Sequence, residues 1–245
     1  MDHALHMRTM ASLAVQLRCV THFTFLVVTL MGKTEVPSAK DTDSPLLLRL
    51  FTPTLKAVTA KTGVAFLSEC MECLGGQGYV EEGGIAVLYR DTQVNSIWEG
   101  TTNVLAEDML RVLRGRSGVA TLNALDRYIA SSVREGEKCA KFGEWPRRFG
   151  DMYAKWRSRV TEYPKEIVTA NARELIISLG WAIGTMEMMV DAATDGDDIE
   201  IECCKRAFDI KKQEWDADAR KTFDWDRKIV FGRDYAGSSS VQARL

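Results

Sequence analysis

The sequence of 245 residues predicts an all-α protein. Residues 5–31 place apolar side chains at steps of three and four, which is the spacing of one face of a helix. A second apolar stretch of this kind covers residues 55–74. Proline and glycine separate the stretches, as expected between helices. Three further helical segments are predicted at 122–142, 148–190 and 199–230.

The composition is typical of a globular protein, with 46% hydrophobic and 27% charged residues. This composition excludes disorder as the main state of the chain. A formal net charge of −2 gives no overall attraction to nucleic acid or to anionic membranes. The six cysteines lack the spacing of a disulfide framework, so a reducing compartment is expected.

The first predicted helix ends in an almost wholly apolar run, residues 23–31. This run is too short to cross a bilayer. Thr21, His22 and Thr24 interrupt the apolar sequence around its start. We therefore expect a helix buried among other helices and no membrane span.

Residues 32–44 are polar and contain Pro37, which predicts a connecting loop. In the helix that follows, Pro53 is expected to cause a break or a kink. Cys70 and Cys73 form a lone C-x-x-C pair, and a metal site would need a second pair of ligands. We expect these cysteines to pack in the interior and predict no metal site.

Residues 75–92 are predicted to form a loop with at most one helical turn, at 85–89. Glycine disfavours a regular helix because its unfolded state has high conformational entropy. Five glycines fall in this segment, at Gly75, Gly76, Gly78, Gly83 and Gly84.

Glu99 follows the apolar pair Ile97 and Trp98 and precedes Gly100, where the backbone can approach a ligand closely. We expect this carboxylate to lie in surroundings of low dielectric, which make a carboxylate a usable base near neutral pH. Thr101, Thr102 and Asn103 then open a helix, and a helix opening can bind phosphate. The alternative is an acidic residue placed near a helix start for dipole reasons alone.

Three motifs that occur in a fixed order favour the first alternative, a functional carboxylate at Glu99. They are Gly75-Gly-Gln-Gly-Tyr79, Tyr89-Arg-Asp91 and Ile97-Trp-Glu-Gly-Thr-Thr-Asn103. Together they resemble the C-terminal domain of the flavin-dependent acyl-CoA dehydrogenases, most closely the branch of the bacterial adaptive-response flavoprotein AidB. The resemblance implies an antiparallel helical bundle in residues 1–115, incomplete at its N-terminus. Residues 116–245 would be a helical extension with a flexible C-terminal tail.

The resemblance also implies a reaction, the α,β-dehydrogenation of an acyl-CoA thioester. Glu99 matches the family's base, which removes the α-proton while hydride leaves the β-carbon for the flavin. The backbone N–H of this residue would bind the thioester carbonyl and stabilise its developing negative charge. Gly100 would keep the approach of the substrate open.

FAD is the cofactor that the resemblance implies, bound between the subunits of a homo-oligomer, dimer or tetramer. Glu72 stands where many members carry Gln and is not expected to contact FAD directly. The residues that match the segment near the FAD phosphates and adenosine are Thr101, Thr102 and Asn103. Those that match the loop that meets the FAD of a neighbouring subunit are Gly75, Gly76 and Gly78.

Family members begin with a helical domain and a β-sheet domain that hold the flavin ring, and neither is recognised in this sequence. We expect the chain to be a fragment, a truncated gene model or a naturally shortened paralogue, with negligible FAD retention and no turnover unless it joins a complete partner subunit. A non-catalytic paralogue that assembles with other subunits is one alternative.

A nucleic-acid-associated flavoprotein is a second alternative, since the C-terminal helical region of the bacterial branch member binds duplex DNA. It is supported by a local basic patch and opposed by the balanced charge of residues 116–245. The basic patch consists of Arg147, Arg148, Lys155, Arg157 and Arg159.

The sequence ends in Ala243-Arg244-Leu245 after a polar tail that begins at Ser238. This tripeptide is similar to the Ser-Lys-Leu peroxisomal address. We therefore expect a peroxisomal location, with mitochondrion and cytoplasm as alternatives.

Overall fold

The computed structural model describes residues 4–36 and 41–210, and every regular element in these two ranges is helical. The all-α prediction is confirmed. In chain order the α-helices are α1 Ala4–Glu35, α2 Asp43–Cys73, α3 Gly76–Tyr79, α4 Ile85–Val94, α5 Thr102–Arg114, α6 Gly118–Glu137, α7 Trp145–Glu162, α8 Lys165–Ala170, α9 Ala172–Asp195 and α10 Asp198–Ile210. Two 3-10 turns, Glu81–Gly83 and Ala140–Phe142, lie between them.

Helix α2 runs without interruption through Pro53, so the predicted break is absent. Proline removes one N–H donor from the helix and crowds the carbonyl of the preceding turn. Leu50 and Phe51, just before it, are fully buried, as Ala57 is nearly so just after it. Packing on both sides of Pro53 therefore holds the helix together at a residue that would weaken it in isolation.

Helix α9 is the central element, because it packs against α1, α2, α5, α6, α7 and α10. Two of its glycines lie where neighbouring helices come very close. A Cβ atom at Gly180 would lie 2.3 Å from Cγ2 of Val58 on α2, and one at Gly184 would lie 2.6 Å from the carbonyl oxygen of Cys19 on α1. Glycine at both positions therefore allows the three longest helices to pack together.

Helices α1 and α9 are each long and apolar enough to cross a bilayer. The apolar character of α9 is explained by its position, since 78% of its most apolar 18-residue stretch is buried inside the protein. Only 33% of the most apolar 18-residue stretch of α1 is buried. The outer face of α1 exposes a row of large apolar side chains, including Leu17, Phe25, Val28 and Met31.

A single hydrophobic core extends across the predicted domain boundary at residue 115. The ring of Phe51 on α2 makes edge-to-face contacts with Phe23 on α1 and with Tyr128 on α6, at centroid distances of 5.7 and 5.8 Å. The helices on the two sides of the boundary therefore pack as one body, and the boundary stays a prediction from sequence similarity.

The segment after α2 is more helical than predicted. Gly75 has φ 59° and Gly84 has φ 74°, and each immediately precedes a helical element rather than lying inside one. Positive φ costs glycine little, so these two residues redirect the chain while the stretches between them form helical turns. The helix predicted as one turn at 85–89 is α4, which is ten residues long.

Some predictions fall outside the described residues. Pro37 lies in the gap between α1 and α2, and the last predicted helix, 199–230, is described only as far as Ile210. The tail from Ser238 to Leu245 also lies outside them.

Candidate functional site

Glu99 lies on the short turn that joins α4 to α5. After α4 ends at Val94, the N–H groups of Ile97 and Trp98 donate to the Val94 carbonyl at 2.9 and 3.0 Å. Thr101 is extended, with ψ 166°, and the next helix begins at the following residue. The turn therefore presents Glu99 immediately before the amino end of α5.

The backbone of Glu99 is left-handed, with φ 53°, and it is the one non-glycine residue with positive φ in the described part of the chain. Gly100 follows with φ 102°. A left-handed residue that carries a Cβ is strained by roughly 1–2 kcal/mol. Such residues cluster at functional sites, where the surrounding structure holds them in place.

Lys56 on α2 contacts the backbone on both sides of Glu99. Its Nζ donates a hydrogen bond of 2.8 Å to the carbonyl oxygen of Trp98 and a second, short one to the carbonyl oxygen of Gly100. Hydrogen bonds from a charged donor are stronger than neutral ones. The strained turn is thus tied to α2 by an ammonium group.

A groove of about 580 Å³ lies between α2 and the start of α5, and both Lys56 and Glu99 line it. Its volume is in the range of small-molecule sites. The other lining residues are Thr34, Pro45, Leu48, Arg49, Thr52, Pro53, Leu105 and Asp108.

The low-dielectric surroundings predicted for Glu99 are not found, because its side chain is exposed. The preceding apolar pair does not wall it off, since Ile97 and Trp98 are themselves 63% and 57% exposed. The turn lies on the outside of the helices, so adjacent apolar residues in the sequence do not bury their neighbour.

The amino end of α5 has N–H groups available for an anion. The first backbone bond of this helix runs from the N–H of Leu105 to the carbonyl of Thr101, at 3.0 Å. The N–H groups of the preceding residues lack helical acceptors, as at any helix start. No acidic side chain lies in the first turn of α5 to repel an anion. This end of α5 is therefore suited to phosphate.

Two side chains at this helix start differ in their surroundings. Thr102 is buried, at 4% exposure, and its hydroxyl has no hydrogen-bond partner among the described residues. Asn103 instead accepts a hydrogen bond of 3.0 Å at Oδ1 from Arg173 on α9. A buried hydroxyl without a partner next to free N–H groups fits the oxygen-rich phosphates of a dinucleotide.

The predicted cofactor glycines fall into two classes. Gly78 is buried, and a Cβ there would lie 2.1 Å from the carbonyl oxygen of Met71, so packing against α2 explains it. Gly75 and Gly76 are exposed and have open space around them. They follow the far end of α2, and about 25 Å of helix separates Lys56 from Cys73. The glycines and Glu99 therefore lie at different places along α2.

The basic patch on α7 is partly occupied by contacts within the protein. The Arg148 guanidinium lies 4.1 Å from the ring centre of Trp145, and Arg157 Nε lies 3.3 Å from Asp126 Oδ1. Burial lowers the pKa of Arg159, which is half-buried. Arg147 and Lys155 are exposed. The patch thus presents fewer open cations than its sequence indicates.

Sequence reasoning missed Lys56 altogether. This lysine lies 42 residues before Trp98 and belongs to no motif. Only the packing of α2 against the α4–α5 turn brings them together, so no spacing in the sequence could have revealed the contact.

Comparison with known proteins shows which family these features resemble. Residues 1–114 match the family model described as acyl-CoA dehydrogenase, C-terminal domain. The chain is 32% identical to acyl-CoA dehydrogenase family member 11 of Caenorhabditis elegans, over 93% of this chain and 38% of that protein. It is 45% identical to the putative acyl-CoA dehydrogenase AidB of Escherichia coli K12, over 38% of this chain and 19% of that protein.

The solved structure of ACDH-11 of Caenorhabditis elegans in complex with C11-CoA is similar to this chain, with a TM-score of 0.78 and 29% identity. The match covers 95% of this chain and 41% of that one. The chain therefore spans less than half the length of the relatives it matches. From the family match, the two relatives and this structural likeness, we conclude that residues 1–114 of this chain match the C-terminal domain of the acyl-CoA dehydrogenase family.

Proposed function

We propose that this chain is the C-terminal part of an FAD-dependent acyl-CoA dehydrogenase that oxidises the α,β bond of an acyl-CoA thioester. The observation that carries the proposal is the left-handed backbone of Glu99 on the turn before α5. Both relatives compared above bear the name of acyl-CoA dehydrogenases, and the solved neighbour was obtained with C11-CoA. These matches support an acyl-CoA as the substrate class.

Glu99 would act as the base and take the α-proton of the thioester onto its carboxylate. Its own backbone N–H has no acceptor among the described residues, so it is free to donate to the thioester carbonyl oxygen. FAD, when bound, would accept the hydride from the β-carbon. Loss of the proton and the hydride leaves a double bond between the α- and β-carbons.

The residues that would hold FAD are divided between two places on the chain. The free N–H groups of α5 and the buried hydroxyl of Thr102 would face phosphate oxygens. Gly75 and Gly76, at the far end of α2, would offer exposed backbone to a second FAD. This separation supports a homo-oligomer in which each FAD lies between subunits.

Acyl-CoA-dependent bleaching of the flavin absorbance tests the reaction in a flavin-loaded form of the protein that includes the flavin-binding domains. We expect Glu99→Gln to abolish the bleaching, because the amide cannot take the α-proton. Glu107→Gln is the matched control, since Glu107 is an exposed glutamate on α5 that lacks an ion pair among the described residues. Undiminished bleaching in Glu99→Gln would remove Glu99 from its role.

Flavin retention tests whether the chain functions alone. We expect the purified chain to retain little FAD and to gain bleaching activity only with subunits that carry the flavin-binding domains. A stoichiometric yellow protein with bleaching activity would contradict this expectation. Stable oligomers that never take up flavin would favour the non-catalytic paralogue. A salt-dependent shift of duplex DNA, lost when Arg147 and Lys155 are reversed in charge, would favour the nucleic-acid-associated alternative.

A further inference from the structure

Lys56 contacts the turn that presents Glu99 through its charged ammonium group. We propose that Lys56 is a positioning residue that sets the direction of the Glu99 backbone N–H, and with it the alignment of the thioester carbonyl. This inference rests on the proposed function, because it assigns a purpose to the geometry of the same site. The evidence is the pair of hydrogen bonds from Lys56 Nζ to the carbonyls of Trp98 and Gly100.

Peptide geometry connects the first of these bonds to the candidate donor. The carbonyl of Trp98 and the N–H of Glu99 belong to one planar trans peptide, in which they point in opposite directions. Because Lys56 holds the carbonyl at 2.8 Å, the N–H must face away from the ammonium group. A rotation of this peptide would break the hydrogen bond to Lys56 and turn the N–H away from its present direction.

The second bond fixes the peptide between Gly100 and Thr101, one residue beyond Glu99. The carbonyl of Gly100 shares a plane with the N–H of Thr101, which precedes α5. One ammonium group thus restrains the peptide plane immediately before the left-handed residue and the plane that begins one residue after it. Two charge-assisted hydrogen bonds are the kind of support that a strained residue needs to persist.

Lys56 is not explained by an ion pair. In the described residues it makes no salt bridge, and its hydrogen bonds go to the backbone oxygens of Trp98 and Gly100. The other cation that lines the groove, Arg49, is bound to Asp108. The side chain of Lys56 is half-buried, so its stem packs at the groove while its charged end reaches the turn.

Three variants separate positioning from general stabilisation. Lys56→Met keeps much of the stem and removes the donors, whereas Lys56→Arg keeps a charged group with several donors. Lys61→Met is the matched control, since Lys61 is an exposed lysine on the same helix without a partner among the described residues. Circular dichroism checks that each variant keeps its helices, and Lys56→Leu, which also lacks a donor, replaces the Met variant if that one does not.

Amide hydrogen exchange on the chain itself gives a readout that needs no flavin. In Lys56→Met, we expect exchange of the Ile97 and Trp98 amides, which donate to the Val94 carbonyl in this turn, to accelerate by roughly tenfold, the factor for losing one hydrogen bond to a charged group. Lys56→Arg should recover part of the protection, and Lys61→Met should leave it unchanged. Equal exchange in Lys56→Met and Lys61→Met would overturn the proposal.

Kinetics of the flavin-loaded protein gives a second readout. We expect Lys56→Met to lower kcat for acyl-CoA-dependent bleaching by roughly tenfold with a smaller effect on KM, because the donor matters most as charge develops on the carbonyl. Lys56→Arg should restore part of kcat. A change in KM alone, or no rescue by Arg, would overturn the positioning role.

The two proposals fail separately. If Glu99→Gln still bleaches the flavin, the proposed function fails whatever the exchange data show. If Glu99→Gln abolishes bleaching while Lys56→Met matches the Lys61→Met control in exchange and in kcat, only the role of Lys56 fails.

Discussion

Arg49 and Asp108 join α2 to α5 through two parallel hydrogen bonds, Nη1 to Oδ2 at 2.8 Å and Nη2 to Oδ1 at 2.9 Å. Both residues line the groove that contains Glu99. This two-point contact constrains orientation as well as distance. It therefore fixes the helix whose amino end would face the phosphates relative to the helix that supplies Lys56.

Asp108→Asn is predicted to destabilise the protein by roughly 0.5–1 kcal/mol, a small effect because the Arg49 side chain is half-exposed. The hydrogen bond from Arg49 lowers the pKa of Asp108 below its ordinary value of 3.8. The folded state then binds fewer protons. The stability that Asp108 gains from Arg49 is therefore present above pH 3.8 and is lost as the pH falls through the folded pKa. Urea unfolding at several pH values measures both effects.

A double-mutant cycle with Arg49→Met isolates the interaction between the two side chains. Arg147→Met is a control on an exposed arginine for which the structure shows no ion pair among the described residues. A coupling energy indistinguishable from zero would contradict the prediction.

Glu187→Gln is predicted to stabilise the protein at neutral pH. Burial raises the pKa of Glu187 above its ordinary value of 4.5, and the hydrogen bond donated by the Tyr128 hydroxyl only partly opposes this rise. The folded state then binds more protons, so the contribution is present below 4.5 and is lost as the pH rises through the folded pKa. A Gln amide would accept the same hydrogen bond without carrying the buried charge.

The measurement is urea unfolding of Glu187→Gln and the unchanged protein across pH. The difference in unfolding free energy between the two proteins should grow as the pH rises above 4.5, the ordinary pKa of Glu. A difference independent of pH would argue against a raised pKa for Glu187. Tyr128→Phe leaves the carboxylate without its donor and should cost roughly 1–3 kcal/mol at neutral pH.

Gly78→Ala is predicted to destabilise the fold by roughly 1–3 kcal/mol, because the new methyl group would lie against the Met71 carbonyl and force the backbone to move. Gly76→Ala is the matched control, since its Cβ would meet nothing within 4 Å. Thermal unfolding compares the two. Equal stability of both variants would show that the contact with α2 does not require glycine.

The C-terminal tail lies outside the described residues, so its role in cellular location is proposed from the sequence alone. We propose that Ala243-Arg244-Leu245 acts as a peroxisomal address. The last eight residues appended to a fluorescent protein should give a punctate signal that coincides with a peroxisomal marker and disappears when Leu245 is deleted. Diffuse fluorescence from the intact tail would refute the proposal.

The sequence predicted the helices best where apolar periodicity is long, as in α1 and α2. It was wrong in the glycine segment, and of the break or kink predicted at Pro53 the break is absent, because residues that disfavour a helix in isolation are helical there or lie at helix starts. At Pro53, burial of the neighbouring residues outweighs the lost hydrogen bond. At Gly75 and Gly84, glycine adopts the positive φ that the turn before each helix requires.

The sequence by itself determined the helical class, the family motifs and the location of Glu99 before a helix start, because these depend on residues close together in the chain. Only the tertiary structure decided that Glu99 is exposed and left-handed and that Lys56 holds its turn. Only it revealed that a Cβ at Gly78 would lie against the Met71 carbonyl. Each of these depends on how α2 packs against segments distant in sequence, and local patterns carry no record of that packing.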